Sequence, residues 1–132
     1  MLIDLIKFIT GKPPAMAQDE CEAFMDAIVY TMMIDKVVDP DEMEKVEALA
    51  DQLPWVPPGG AAAHVRTAMS RALEYGHFQT QAEPYLMGLA AGFRSAEARD
   101  YTRKACLKVI AADGEESRTE AALGEILNRV FR

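Results

Sequence analysis

Two acidic segments, 78 positions apart in the chain, hold the residue types that could bind a metal ion. Both follow the pattern D-x-x-x-[D/S]-x-x-E between two apolar-periodic segments. Elbow 1 contains Asp35, Asp39 and Glu42, and elbow 2 contains Asp113, Ser117 and Glu120. Hard divalent cations such as Ca²⁺ and Mg²⁺ prefer oxygen ligands. The carboxylates at the acidic positions of this pattern, five in the two elbows together, are therefore the candidate metal ligands.

Helix capping explains only part of each elbow. The [D/S] position of the pattern is an N-cap and the E position is a capping-box glutamate, and both satisfy amides at the start of a helix. The leading residues, Asp35 and Asp113, exceed that need, because each falls on an apolar stripe at a helix end, where a carboxylate opposes the helix dipole. Two interpretations are open. Each Asp orders its own turn by accepting amide hydrogen bonds, or the elbows meet by pseudo-twofold symmetry and share one cation. The spacing is not that of an EF-hand.

Helical periodicity dominates the chain, and no segment alternates with period two for long enough to predict a strand. The fold class is therefore predicted to be all-α. The first clear helix begins soon after Pro14 and ends near Ile34. One of the later helices is predicted to have an inner face of Val65, Ala68, Met69, Ala72 and Leu73. Another is predicted to start near Pro84, and the two that follow it to have N-caps at Ser95 and at Ser117.

The length and the net charge of the chain limit how many domains it can form and which ligands it can bind. The 132 residues fit one domain, residues 1–132. The net charge is −7, and residues 1–60 hold 12 acidic and 4 basic side chains. Such a chain is a poor ligand for nucleic acid, where affinity comes from Lys and Arg at phosphates. The two cysteines, Cys21 and Cys106, are predicted to be reduced core residues.

The beginning of the chain is apolar but short. No run approaches 18 apolar residues, so no transmembrane segment is predicted, and no signal peptide is recognised. Residues 1–10 are expected to pack on their own domain, with peripheral contact to a membrane or a protein partner as the alternative. The oligomeric state is not determined by the sequence.

Residues 27–42 and 105–120 resemble the TerB (tellurite-resistance protein B) family. The resemblance rests on AIVYTMMID followed by DPDE in the first segment, and on ACLKVIAADGE followed by Ser117 and Glu120 in the second. It extends over about residues 16–132. It implies a compact bundle of about seven helices with an internal repeat. It also implies a bacterial cytoplasmic protein of a stress-response system, with acidic residues that are candidates for metal binding. Elbow 1 has Asp35-Lys36 where the family usually has Asp-Gly. Lys36 could itself neutralise the charge of elbow 1.

Three functions are weighed. The first is a non-enzymatic, TerB-like domain that binds a divalent cation through its elbows. The second is a protein–protein interaction module, co-chaperone-like or a membrane-associated scaffold, in which the elbow acids are only caps. The third, a hydrolase using carboxyl groups as acid and base, would need strongly shifted carboxyl pKa values in a cleft. The histidines, His64 and His77, lack zinc-ligand spacing and are expected to be surface or helix-end residues.

Overall fold

The computed structural model describes residues 14–33, 60–74, 78–111 and 118–132, and all regular secondary structure in these ranges is α-helical. The five helices are α1 (Gln18–Met33), α2 (Gly60–Glu74), α3 (Phe78–Ala91), α4 (Ala96–Ala111) and α5 (Arg118–Val130). The all-α prediction is confirmed. The count of about seven helices and the internal repeat stay predictions, because elbow 1 and the segment after it lie outside the described residues.

Helix α1 forms the centre of the bundle. Twelve of its 16 residues are buried, and Phe24, Met25 and Ile28 are fully enclosed. It packs against α2, α3 and α4, while α5 packs on α3 and α4. A helix that is apolar around most of its circumference must be covered by neighbours on several sides. The sequence of α1 is apolar in this way, which explains its central position.

Contacts between side chains give the directions of the neighbouring helices. The start of α1 contacts Arg94, which comes just after the end of α3. Near the end of α1, Tyr30 packs on Tyr85 in the middle of α3, with ring centroids 4.8 Å apart. Helices α1 and α3 are therefore antiparallel. On the other side, Arg103 of α4 donates to the side-chain oxygen of Asn128 of α5 at 2.9 Å. The Arg99 guanidinium donates to the carbonyl oxygen of residue 132 at 3.1 Å, which makes α4 and α5 antiparallel as well.

The start of α4 is capped as predicted. The Ser95 hydroxyl accepts a hydrogen bond from the Ala98 amide at 3.0 Å, and Ser95 stands immediately before the first helical residue. At the start of α1, the Glu20 carboxylate accepts from the Ala17 amide at 3.0 Å, which is the glutamate half of a capping box. Both caps satisfy donors that have no partner within the helix.

Two predictions about the helices were wrong. Pro84 does not begin α3 but lies inside it, six residues after Phe78, at an exposed position, so α3 continues despite the one backbone hydrogen bond that the ring removes. Leu73, assigned to the inner face of α2, is 72 % exposed. The face of α2 that packs in the core is narrower, with Val65, Ala68 and Ala72 buried.

Two helical glycines give a stability prediction. A Cβ at Gly88 of α3 would meet no atom within 4 Å, and a Cβ at Gly124 of α5 would lie 3.7 Å from the Leu107 side chain, an ordinary contact. Alanine restricts the unfolded chain more than glycine, so each Gly→Ala change is expected to raise the free energy of unfolding by about 0.5–1 kcal/mol. Urea denaturation measures it. A loss of stability at Gly124 alone would mean that α4 and α5 are closer than described.

Candidate functional site

The two helices that lead into the elbows, α1 and α4, lie side by side and run in the same direction. Phe24 stacks on Tyr101 with ring centroids 5.4 Å apart, and farther along both helices Thr31 and Cys106 form a hydrogen-bonded pair. Residues later in α1 therefore contact residues later in α4, which is the order expected of parallel helices. An antiparallel pair would show the reverse order.

The carboxyl ends of the two helices lie at nearly the same level. Thr31 is two residues before the end of α1 at Met33, and Cys106 is five residues before the end of α4 at Ala111. With a rise of about 1.5 Å per residue, the two ends differ in height by roughly 5 Å. The chain thus leaves α1 toward elbow 1 and α4 toward elbow 2 at one end of the helix pair.

The predicted metal ligands themselves fall mostly outside the described residues. This holds for Asp35, Asp39, Glu42 and Asp113. Glu120 lies in the first turn of α5, and its side chain is not among those described. Within the described ranges, no group of three or more His, Cys, Asp or Glu side chains is placed to hold a metal ion. The elbow site therefore stays a prediction.

The structure shows a buried polar cluster that was not predicted, between α1 and α2. The Asp26 carboxylate has a side-chain exposure of 5 % and contacts two basic side chains, His64 and Arg71. One oxygen lies 2.9 Å from Nε2 of His64, and the other accepts from the Arg71 guanidinium at 3.0 Å. His64 Nε2 is also 3.2 Å from the carbonyl oxygen of Glu22. We call Asp26, His64 and Arg71 the α1–α2 polar cluster.

The cluster favours protonation of His64. Burial of the ring lowers the pKa of His64, but the hydrogen bond to Asp26 and the negative charges of Asp26 and Glu22 raise it by more, so that the net shift is above the ordinary value of 6.5. His64 lies near the start of α2, as expected for a helix-end residue, but it is not at the surface, because its side chain is only 11 % exposed. His77 lies outside the described residues.

A second polar cluster links the start of α1 to the α3–α4 connection. The Arg94 guanidinium donates to the Asp19 carboxylate at 2.7 and 2.9 Å and to Glu20 at 3.3 Å. The pKa of Asp19 is lowered, chiefly by its hydrogen bond from Arg94. The pKa of Glu20 is lowered first by the Ala17 amide and then by the Arg94 amide. Each of these carboxylates accepts three hydrogen bonds, and together they hold the connection in place.

The shifted carboxyl groups bear on the hydrolase hypothesis. The pKa of Asp100 is lowered, first by hydrogen bonds from Arg103 and Lys104, just as those of Asp19 and Glu20 are lowered. A general acid working near neutral pH needs a carboxyl pKa shifted upward. These three groups therefore have the wrong shift for that role.

Both cysteines are described, both are buried, and neither is in a disulfide, in agreement with the prediction of core thiols. Burial raises the pKa of Cys21 to about 11, with a smaller contribution from the neighbouring acids. Burial likewise raises the pKa of Cys106 to about 12. Since the thiolate is the reactive form, neither residue is suited to act as a nucleophile.

Sequence reasoning missed Asp26, although one signal was present. Asp26 is the only charged residue in the otherwise apolar stretch of residues 23–34. A carboxylate is rarely buried unless it is paired. The isolated charge therefore predicts a buried partnered carboxylate, but its partners, 38 and 45 residues later, cannot be read from spacing.

These features define the class of the protein as an all-α domain with a buried central helix and polar clusters that join its helices. Comparisons with protein-family models, curated proteins and solved structures found no match for the chain. None of the described helices is long and apolar enough to cross a membrane.

Proposed function

We propose that the chain is a TerB-like, non-enzymatic domain of a bacterial stress response of the tellurite-resistance type, and that its two elbows together bind one divalent cation, Ca²⁺ or Mg²⁺. The observation that carries the proposal is the parallel packing of α1 and α4, whose carboxyl ends lie at one end of the pair. Had the helices been antiparallel, the elbows would begin at opposite ends of the bundle.

Chain reach supports a shared site. Asp35 follows Met33 by two residues, and Asp113 follows Ala111 by two residues. Two residues span at most about 7 Å, so each leading Asp is tethered close to its helix end. Packed helices have axes about 8–10 Å apart. Carboxylates on these two tethers can therefore meet at one ion.

Charge supports a cation as the ligand. Residues 1–60 carry a net charge of −8, from 12 acidic and 4 basic side chains, whereas residues 61–132 carry +1. Bringing Asp35 and Asp113 together without a counter-ion would be costly because like charges repel. A divalent ion with oxygen ligands removes that cost.

Calorimetric titration with Ca²⁺ and with Mg²⁺ tests the proposal. Wild type is expected to bind one equivalent of at least one of the two ions, and Asp35→Asn/Asp113→Asn to lose at least about tenfold in affinity, because two anionic ligands become neutral. Glu97→Gln/Glu125→Gln is the matched control: it removes the same charge from two exposed positions on α4 and α5 and is expected to bind as wild type does.

Paramagnetic Mn²⁺ locates the ion on the described helices. It is expected to broaden amide signals in the last turns of α1 and α4 and to leave their first turns, about 18 Å farther from the ion, unchanged. Broadening at only one of the two helices, or binding that the double variant retains, would contradict a shared site. Absence of binding to wild type would favour the alternative of an interaction module in which the elbow acids act as caps.

A further inference from the structure

The α1–α2 polar cluster joins two helices through groups that differ in their exposure to water. Asp26 has a side-chain exposure of 5 % and His64 of 11 %, whereas Arg71 has 45 %. Both bonds to Asp26 cross between helices, and His64 and Arg71 stand two turns apart on the same side of α2. The carboxylate thus depends on α2 for the partners seen in the cluster.

We propose that the cluster is a proton-dependent latch, in which protonated His64 holds α2 on α1 and loss of that proton loosens the contact. The inference is independent of the cation site, which lies with the elbows. It assigns a regulatory role to a buried titratable group that the proposed function does not use.

Charge balance gives the physical reason. Among the described residues, the charged groups around the imidazole are Glu22 and Asp26 from α1 and Arg71 from α2. With His64 protonated, the four groups sum to zero. After deprotonation the sum over these four groups is −1, and within the described ranges the buried Asp26 carboxylate keeps the half-exposed Arg71 as its one charged partner. A buried carboxylate with fewer cationic partners is less stable.

The direction of the pH effect follows from the raised pKa of His64, caused by Asp26 and Glu22 against the opposing effect of burial. The stabilisation is complete below the ordinary histidine pKa of about 6.5 and is lost as the pH rises through the folded-state pKa. The latch is therefore closed in mild acid and loosens toward alkaline pH. Loosening would expose the apolar face of α2 formed by Val65, Ala68 and Ala72, all buried in the closed form.

The melting temperature of the full chain, measured from about pH 5.5 to pH 9, tests the latch. Wild type is expected to lose several degrees across this range, whereas His64→Gln, whose amide can still donate to Asp26 but cannot titrate, loses much less. His77→Gln is the matched control, since it removes the other histidine, and should keep the wild-type slope. Equal slopes for wild type and His64→Gln would overturn the latch.

Imidazole NMR titration keeps the proposal testable if His64→Gln fails to fold. In His77→Gln, the remaining ring signal belongs to His64, and its pKa is expected above 6.5. Hydrogen exchange, corrected for the intrinsic pH dependence, should show α2 amides losing protection before those of α4 as the pH rises. A His64 pKa at or below 6.5, or uniform loss of protection, would contradict a latch on α2.

Discussion

Replacing Phe24 with alanine is expected to lower the free energy of unfolding by about 4 kcal/mol, in the range for emptying a buried phenylalanine site. Phe24 is fully buried at the centre of α1 and stacks on Tyr101 of α4 at 5.4 Å. The change removes this ring contact and leaves a cavity between the two parallel helices. Neighbouring core side chains can relax only in part because the interior is close-packed. Urea denaturation followed by circular dichroism measures the loss.

Leu73→Ala is the control for this prediction. Leu73 is 72 % exposed near the end of α2, so its truncation is expected to change the free energy of unfolding by no more than about 0.5 kcal/mol. If Phe24→Ala costs as little as Leu73→Ala, the α1–α4 contact is wrong. The basis of the cation proposal would then fail with it.

Asp26→Asn is expected to lower the free energy of unfolding by about 3 kcal/mol at neutral pH. The asparagine keeps the shape but turns one acceptor into a donor, so that an amide N–H₂ faces His64 or the Arg71 guanidinium. Removing one partner of a buried pair leaves the others without their counter-charge. The half-exposed Arg71 can turn to water, which keeps the loss at the lower end for buried pairs. Thermal and urea denaturation measure the change.

Asp100→Asn is the matched control, since it makes the same chemical change at a carboxylate whose side chain is 43 % exposed. Its partners, Arg103 and Lys104, belong to the same helix and to no other element. A much smaller effect than at Asp26 is expected, because exposed ion pairs contribute little. Equal losses for the two variants would show that Asp26 is not buried between α1 and α2 as described.

Much of the helical framework follows from local patterns. Cys106 of α4, predicted to be a core residue, is buried, and Leu123 and Leu127 of α5, four residues apart, share a buried face as helical periodicity requires. Ser95 caps α4 because an N-cap depends only on residues a few positions away. The candidate cation site is different. Its pattern can be read from the sequence, but its ligands lie almost wholly outside the described residues, so the structure supports it only through the parallel directions of α1 and α4.

Leu73 illustrates the limit of periodicity. The spacing of apolar residues in α2 places it at the edge of the inner face, and whether an edge residue is covered depends on which helices surround α2. Pro84 shows a similar limit, because a proline often begins a helix but is also tolerated within one at an exposed position. Both errors arise where a local rule allows two outcomes and packing selects one.

The sequence by itself determined the all-α class and the buried thiols, because these depend on residues within one or two helical turns. The capping of the two acidic elbows stays a prediction from the sequence. Only the tertiary structure decided that α1 and α4 are parallel, so that their carboxyl ends lie at one end of the pair. It also decided that Asp26 meets His64 and Arg71. The reason is physical: periodicity defines which face of a helix is apolar, but the neighbour of that face and its direction are set by how the helices pack.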